Sequence, residues 1–127
     1  MEKSEDILSK EIIGAAIEVH KSIGPGLLES AYEKCLCREF ELRNIPFQHQ
    51  YVLPVEYKGV SVECGYRIDL IVDNKIIVEL KAVENIEPIH KAQLLTYLRL
   101  ANLKLGLLIN FNVTLLKKGI MRIVNNL

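Results

Sequence analysis

Two pairs of charged residues lie in segments that otherwise have the composition of buried β-strands. Residues 76–82 are apolar except for Glu79 and Lys81, and residues 66–72 carry Arg67 and Asp69 in a mainly aliphatic stretch. Strand side chains alternate between the two faces of a sheet, so Glu79 shares a face with Lys81, as Arg67 does with Asp69. Burying such charges costs several kcal/mol each unless they are paired or bind a metal ion. The pattern therefore predicts either a buried ion network or a metal site.

The connection between the two strands decides which acids meet. A two-residue loop at Asp73-Asn74 would place Asp69 opposite Val78 and leave Glu79 on the other face of the sheet. A three-residue connection at residues 73–75, with one residue in the left-handed region, would instead place Asp69 opposite Glu79. Because two opposed carboxylates repel each other, this second register is favourable mainly with a divalent cation between them. We adopt it as the hypothesis to test.

Further polar candidates lie on two predicted helices. Glu29 is near the start of a helix over residues 28–43, on the edge of its apolar stripe, where it either faces a site or simply favours the helix dipole. His90, Gln93 and Tyr97 follow one side of a helix over residues 88–102. A solvated helix face explains these three residues equally well.

The periodicity of the apolar residues defines the elements that position these groups. Helical spacing with caps predicts helices over residues 4–22, 28–43 and 88–102. Alternating or continuous apolar runs predict an antiparallel meander over residues 48–57, 60–64, 66–72 and 76–82, a buried strand over residues 107–111, and one or two edge strands over residues 115–124, broken at Gly119. The order ααββββαβ(β) indicates an α/β or α+β fold with a mixed central sheet flanked by helices, in a single domain over residues 1–127.

Charge is balanced overall but unevenly distributed. The chain has 127 residues with 16 basic and 16 acidic side chains, and no acid follows residue 88. If the basic residues of this region form one surface, that surface would suit a nucleic-acid backbone. On charge alone, we favour the simpler interpretation that they are ordinary solvated side chains. The basic residues there are Lys91, Arg99, Lys104, Lys117, Lys118 and Arg122.

Composition also excludes several classes of protein. Cys35, Cys37 and Cys64 have no spacing typical of a disulfide framework or a zinc site, so we expect reduced thiols that fill the core. No apolar run approaches the roughly 18 residues of a membrane span, and the polar N-terminus lacks the layout of a secretory signal. These features predict a cytoplasmic protein that does not enter a membrane.

Several motifs together resemble one known family. Gly26, Glu29 and Tyr32 occupy the three fixed places of the GxxExxY family, which belongs to the PD-(D/E)XK nuclease superfamily. Asp69 resembles the aspartate of the superfamily motif, and Glu79-Leu80-Lys81 resembles its E-x-K. Gln93 and Tyr97 resemble the Q-x-x-x-Y of exonuclease-like branches, and the likeness extends to the end of a strand at residues 110–111. Ile68 stands where the proline of the motif would be.

The resemblance implies a restriction-endonuclease-like fold and a metal-dependent nuclease. Asp69, Glu79 and the Leu80 carbonyl would bind Mg²⁺ or Mn²⁺, with Glu29 reaching the ion directly or through water. Lys81 would orient the attacking water or stabilise the oxyanion, and Gln93 would position the water or a phosphate. The remaining assignments are accessory roles for Tyr97, Tyr32 and His90, and contacts to DNA or RNA from Lys91, Arg99, Lys117, Lys118 and Arg122.

Two alternatives stay open at this stage. The first is a nucleic-acid-binding or partner-binding protein that keeps the fold without catalysis. The second is a structural protein in which Arg67 and Lys81 neutralise Asp69 and Glu79 as a buried ion network. A homodimer or a larger protein partner would supply surface that so short a chain lacks.

Overall fold

A computed structural model describes residues 2–62 and 65–127. The elements in chain order are α1 (Glu5–Ile23), α2 (Glu29–Leu42), β1 (Phe47–Val52), β2 (Val55–Tyr57), β3 (Val60–Val62), β4 (Arg67–Val72), β5 (Ile76–Lys81), α3 (Pro88–Ala101), β6 (Leu105–Asn110), a 3₁₀ turn (Leu116–Gly119) and β7 (Ile120–Val124). The three predicted helices are all present, each within one or two residues of its expected bounds.

Local signals explain where the helices begin and end. The Ser4 side chain caps α1 by accepting a hydrogen bond from the Ile7 amide at 3.2 Å. The helix ends at Gly24, whose φ of 82° a residue with a side chain rarely adopts. Pro88 occupies the first turn of α3, where no backbone donor is required, and Asn102 ends that helix in the left-handed conformation.

Five strands form a mixed sheet in the order β1-β4-β5-β6-β7. β5 and β6 are parallel and are joined by α3, whereas the other neighbouring strands are antiparallel. Helices flank the sheet on both faces. The fold is therefore the mixed α/β arrangement, with a central sheet flanked by helices, that the sequence predicts.

The predicted four-strand meander is wrong in its first half. The segment expected as one strand over residues 48–57 divides at Leu53-Pro54, because proline has no amide for the ladder and Leu53 turns into the core. β2 and β3 form a separate two-stranded sheet, and β1 pairs directly with β4. The end of the predicted strand over residues 60–64 lies outside the described residues, as does Cys64.

The C-terminal segment also differs from the prediction. Leu116–Gly119 forms the 3₁₀ turn instead of a strand, because Leu116 turns into the core and is 2% exposed. Gly119 follows, so close to the Asn110 carbonyl oxygen that a side chain could not fit. β6 is buried along its whole length, as expected for a strand covered on both faces.

Two apolar clusters cover the two faces of the sheet. The larger cluster lies under α1 and α2, and includes Tyr32, Leu70, Val78 and Leu80. The smaller one lies under α3, and includes Ile68, Ile71, Ile77 and Tyr97. The charged residues of β4 and β5 therefore lie between two helical layers.

The described residues include no helix that is long and apolar enough to cross a membrane.

Cys35 and Cys37 are free, half-buried thiols packed against the larger cluster. Burial, with the nearby charge of Glu33, raises the pKa of Cys37 to about 11. A thiol with this pKa is unreactive near neutral pH, in agreement with a packing role.

Candidate active site

The register between β4 and β5 brings the two predicted acids together. Leu70 pairs with Val78 and Val72 with Ile76, so the same register places Asp69 opposite Glu79. The connection has three residues, and Asp73 and Asn74 both have positive φ, at 52° and 54°. This confirms the register that we predicted.

Each carboxylate is hydrogen-bonded to the backbone of the opposite strand. The Asp69 amide donates to Glu79 Oε2 at 2.7 Å, and the Leu80 amide donates to Asp69 Oδ2 at 2.9 Å. At this point of the ladder, the two carboxylates therefore take the place of backbone carbonyls as hydrogen-bond acceptors. The alternation of β4 also breaks here, because Ile68 packs with Ile71 under α3, although an even spacing would place it with Leu70.

Burial makes the charges of both acids unfavourable. Glu79 is only 6% exposed, and its burial, followed by the negative charge of Asp69, raises its pKa to about 8. Burial also raises the pKa of Asp69, against the opposing effects of the Leu80 amide and the Lys81 charge. The two groups thus form a coupled pair that holds a proton more tightly than free carboxyls do.

Among the described residues, no ion pair compensates the two acids. The salt bridges among the described residues place neither Arg67 nor Lys81 within 4.0 Å of Asp69 or Glu79. Arg67 is exposed, and Lys81 is half-buried at the end of β5, where its charge lowers the pKa of both acids. The alternative of a closed ion network between these four residues is therefore not formed.

Glu29 lies at the first position of α2 with an exposed side chain. Its negative charge contributes to the raised pKa of both Asp69 and Glu79, although it makes no hydrogen bond to either. The loop before it is held by Tyr32, whose hydroxyl donates to the Gly24 carbonyl at 2.6 Å and accepts from the Leu27 amide at 3.1 Å. Tyr32 is fully buried, so its hydroxyl fixes the chain that leads to Glu29.

Two residues that the sequence reasoning missed lie next to Asp69. Gln50 donates from Nε2 to Glu33 Oε1 at 2.7 Å, and the same nitrogen lies 3.5 Å from Asp69 Oδ1. Burial raises the pKa of Glu33, and the charge of Asp69 adds to this, whereas the bond from Gln50 opposes it. Glu33 is one helical turn after Glu29, and that i, i+4 spacing was a usable signal. Nothing in the pattern of β1 singled out Gln50.

Asn110 fixes the chain that leaves the site after Lys81. Its Oδ1 accepts from the amides of Val83 and Asn112, and its Nδ2 donates to the Val83 carbonyl at 2.9 Å. The side chain is 3% exposed. A polar residue at the end of a uniformly apolar strand is the sequence signal of this clamp.

The predicted residues of α3 differ in their surroundings. Tyr97 is buried, and its pKa is raised by burial and then by the charge of Glu79, which lies on the α3 face of the sheet with Ile77. Gln93 is exposed one turn earlier, with no hydrogen bond to the acids. His90 Nδ1 accepts from the Glu87 amide at 3.0 Å and so caps the helix.

The predicted basic residues do not form one surface. Lys91 and Arg99 are exposed on α3, whereas Lys117 and Lys118 lie on the 3₁₀ turn, which packs beside α1 on the opposite face. Arg122 pairs with Asp6 at 2.7 Å, so an acid of α1 neutralises it. One basic residue of the acid-free stretch is thus paired with an acid from the N-terminal half.

The site fits a divalent cation through two carboxylates. The described residues contain no preassembled group of three or more His, Cys, Asp or Glu side chains that could hold a metal ion. Asp69 and Glu79 each use one oxygen for a backbone amide, and among the described residues no donor reaches the second oxygen of Glu79. Paired, partly desolvated carboxylates are hard ligands that suit Mg²⁺ or Mn²⁺.

Comparison with protein families gives one match. The family model described as PD-(D/E)XK nuclease superfamily matches residues 6–123, from α1 into β7. No curated protein matches the chain, and no solved structure does so. The matched range contains Asp69, Glu79 and every other residue of the candidate site.

Proposed function

Because the chain belongs to the PD-(D/E)XK nuclease superfamily, we propose that it is a metal-dependent nuclease that hydrolyses phosphodiester bonds of DNA or RNA. Within the superfamily, we propose that it belongs to the GxxExxY family, a proposal supported by Gly26, Glu29 and Tyr32 in the three fixed places of that motif. The observation that carries the proposal is the opposition of Asp69 and Glu79, to which no ionic partner is bound in the part of the chain that the structure describes. Such an arrangement is unfavourable in an isolated structural protein and useful in one that binds a cation.

The metal ligands in this proposal are Asp69, Glu79 and the Leu80 carbonyl, with Glu29 direct or through water. Burial and mutual repulsion raise the pKa of both strand acids, and a divalent cation would relieve that repulsion. A bound Mg²⁺ or Mn²⁺ supplies positive charge for the scissile phosphate and acidifies the attacking water. The two backbone amides on Asp69 and Glu79 keep the ligands in place.

The other residues act on the substrate. Lys81 extends from the same strand as Glu79, and its Nζ orients the attacking water or stabilises the phosphate oxyanion. Gln93 donates to the water or to a phosphate oxygen from the exposed side of α3. Tyr97 anchors that helix against the sheet beside Glu79. Lys91 and Arg99 contact the nucleic-acid backbone.

A catalytically silent binding protein is the second candidate. The observation that favours it is the distribution of basic residues over two faces, with Arg122 neutralised by Asp6. In that case the chain binds nucleic acid, or a second protomer or other protein partner, without cleaving a phosphodiester.

Manganese titration by calorimetry, followed by cleavage assays on labelled single- and double-stranded DNA and RNA, tests the proposal. We expect the wild type to bind Mn²⁺ and to cleave at least one substrate, and Asp69→Asn and Glu79→Gln to lose both properties. Lys81→Ala should lose cleavage while it keeps Mn²⁺ binding. Asp73→Asn removes a carboxylate from the same hairpin and is the matched control, with both properties retained.

One result would contradict the nuclease proposal. Nucleic-acid binding without Mn²⁺ binding or cleavage, unchanged in Asp69→Asn and Glu79→Gln, would replace the nuclease by the silent binding protein.

A further inference from the structure

Gln50 has a backbone conformation that its position in a strand does not require. Its φ is 51°, in the left-handed region, which is unfavourable for a residue with a side chain. The neighbouring pairs, His49 with Leu70 and Tyr51 with Ile68, keep the same register on either side. No extra residue has to be accommodated. The turned residue lies opposite Asp69, at the point where the alternation of β4 also breaks, so the distortion is confined to the place where the site is built.

The turned backbone allows the amide of Gln50 to bridge two acids. Its Nε2 donates to Glu33 Oε1 at 2.7 Å and lies 3.5 Å from Asp69 Oδ1, at the limit of a hydrogen bond. An amide nitrogen carries two protons, so it can serve both carboxylates at once. With the Leu80 amide on Oδ2, both oxygens of Asp69 then face a fixed donor.

The amide suits this position because it is neutral. A lysine or arginine there would neutralise Asp69 and Glu33 and compete with a cation for the same oxygens. An amide instead separates two like charges, fixes their orientation and leaves the negative charge available. Each carboxylate has about four lone-pair sites, so the donors do not exhaust its capacity to bind a cation.

We propose that Gln50 is a positioning residue that holds the Asp69 carboxylate toward the cation site and links it to Glu33 on α2. The inference rests on the proposed function, since it takes Asp69 as a ligand of a divalent cation. It adds a second layer to the site, in which α2 contributes Glu33 through Gln50. Such outer partners typically change metal affinity about 10–100-fold when they are removed.

Gln50→Gly separates positioning from folding. Glycine tolerates the positive φ, so this variant removes the backbone strain together with the amide. Gln48→Gly is the matched control, because Gln48 is an exposed glutamine on the same strand with ordinary pairing to Ile71. Gln50→Asn keeps an amide and tolerates the same φ, but it is one methylene too short to span both acids.

Two measurements distinguish the inference from the proposed function. Mn²⁺ calorimetry should show affinity about tenfold lower in Gln50→Gly and Gln50→Asn, and unchanged in Gln48→Gly. In metal-free protein, hydrogen exchange at the Leu80 amide should be about fivefold faster in both Gln50 variants than in wild type, since Asp69 is less firmly held. The stability of Gln50→Gly should exceed that of Gln48→Gly.

The outcomes are separate for the two proposals. If the wild type binds no Mn²⁺, the proposed function fails, and Leu80 exchange alone decides whether Gln50 positions Asp69. If Leu80 exchange is unchanged in Gln50→Gly, the positioning role is wrong. Equal Mn²⁺ affinity of a binding wild type and Gln50→Gly would also overturn it.

Discussion

Asp69 and Glu79 each accept a hydrogen bond from the strand of the other: the Asp69 amide binds Glu79 Oε2 at 2.7 Å, and the amide after Glu79, that of Leu80, binds Asp69 Oδ2 at 2.9 Å. These two bonds complete the sheet where the backbone ladder is interrupted. Each bond uses one carboxylate oxygen, so the second oxygen of each acid is not engaged by the opposite strand. The geometry of the site is thus part of the structure of the hairpin.

Glu79→Gln should stabilise the metal-free protein at high pH. The pKa of Glu79 is raised to about 8 in the folded state, against 4.5 for an ordinary glutamate, because it is buried beside Asp69. The folded state therefore holds the proton more tightly, and stability falls as pH rises from about 4.5 to about 8. Glutamine does not ionise, so we expect the variant to gain on the order of 1–4 kcal/mol over wild type at pH 9.

Urea unfolding in a chelator at pH 5 and pH 9 measures this effect. The difference between variant and wild type should be small at pH 5 and larger at pH 9. A Glu79→Gln protein that is destabilised most at pH 9 would show instead that Glu79 acts as a stabilising anion, as in the ion network.

Asn110→Leu should destabilise the fold by about 2–4 kcal/mol, because the buried amide makes three hydrogen bonds, two of them to Val83. Leucine has the same number and branching of side-chain heavy atoms and leaves no cavity, so the change tests the loss of polar partners. Thermal and urea unfolding give the magnitude. The exposed Asn112→Leu is the control, and an equal effect there would contradict the clamp.

Two glycine substitutions should differ in severity. A Cβ at Gly106 would lie 2.9 Å from Leu94 Cδ1, the mobile end of a side chain, so Gly106→Ala should cost about 1–3 kcal/mol. A Cβ at Gly119 would meet the Asn110 carbonyl oxygen, which is backbone and cannot shift freely. Gly119→Ala should therefore cost more than Gly106→Ala in urea unfolding, and the reverse order would show that the 3₁₀ turn adapts.

Basic residues on the two faces should contribute unequally to nucleic-acid binding. Glu79 faces α3, which carries Lys91 and Arg99, so the double change of these residues to alanine should weaken binding. It should also reduce, by up to about 2, the magnitude of the slope of the logarithm of the binding constant against the logarithm of the salt concentration. The same change at Lys117 and Lys118, beside α1, should leave both quantities unchanged. Fluorescence anisotropy across a salt series measures them, and a dominant effect at Lys117 and Lys118 would move the binding surface to the other face.

Much of the fold could be predicted because its signals are local. The cap at Ser4, the proline at residue 88 and the continuous apolar run of β6 each have one structural solution. The failures have two causes. Pro54 is a local signal that divides a segment whose apolar pattern is otherwise strand-like, whereas the burial of Leu116, which turns a strand-like segment into a 3₁₀ turn, depends on tertiary packing. β1 pairing with β4 is a choice between distant segments that local periodicity does not encode.

The candidate site was predictable to the same extent. The pairing of Asp69 with Glu79 was one of two registers that the sequence allowed, and its choice as the hypothesis rested on the need of opposed acids for a cation; the length of the turn came from the structure. The role of Gln50 depends on a left-handed residue in the middle of a strand, which Asn or Gly would have signalled and Gln does not. The separation of the basic residues followed from the chain folding back on α1, which a charge count along the sequence cannot show.

The three-residue turn between Val72 and Ile76 limits how this protein can diverge. Exposed hairpin turns commonly gain or lose single residues during evolution, because the flanking strands absorb the change. Here a deletion of one residue would move Asp69 opposite Val78. The same shift would place the apolar side chains of one strand on the opposite face of the sheet, which burial of the core disfavours. Relatives that retain the acid pair should therefore align without a single-residue gap at this turn, and a chain with such a gap has lost the pairing even where both acids are still present.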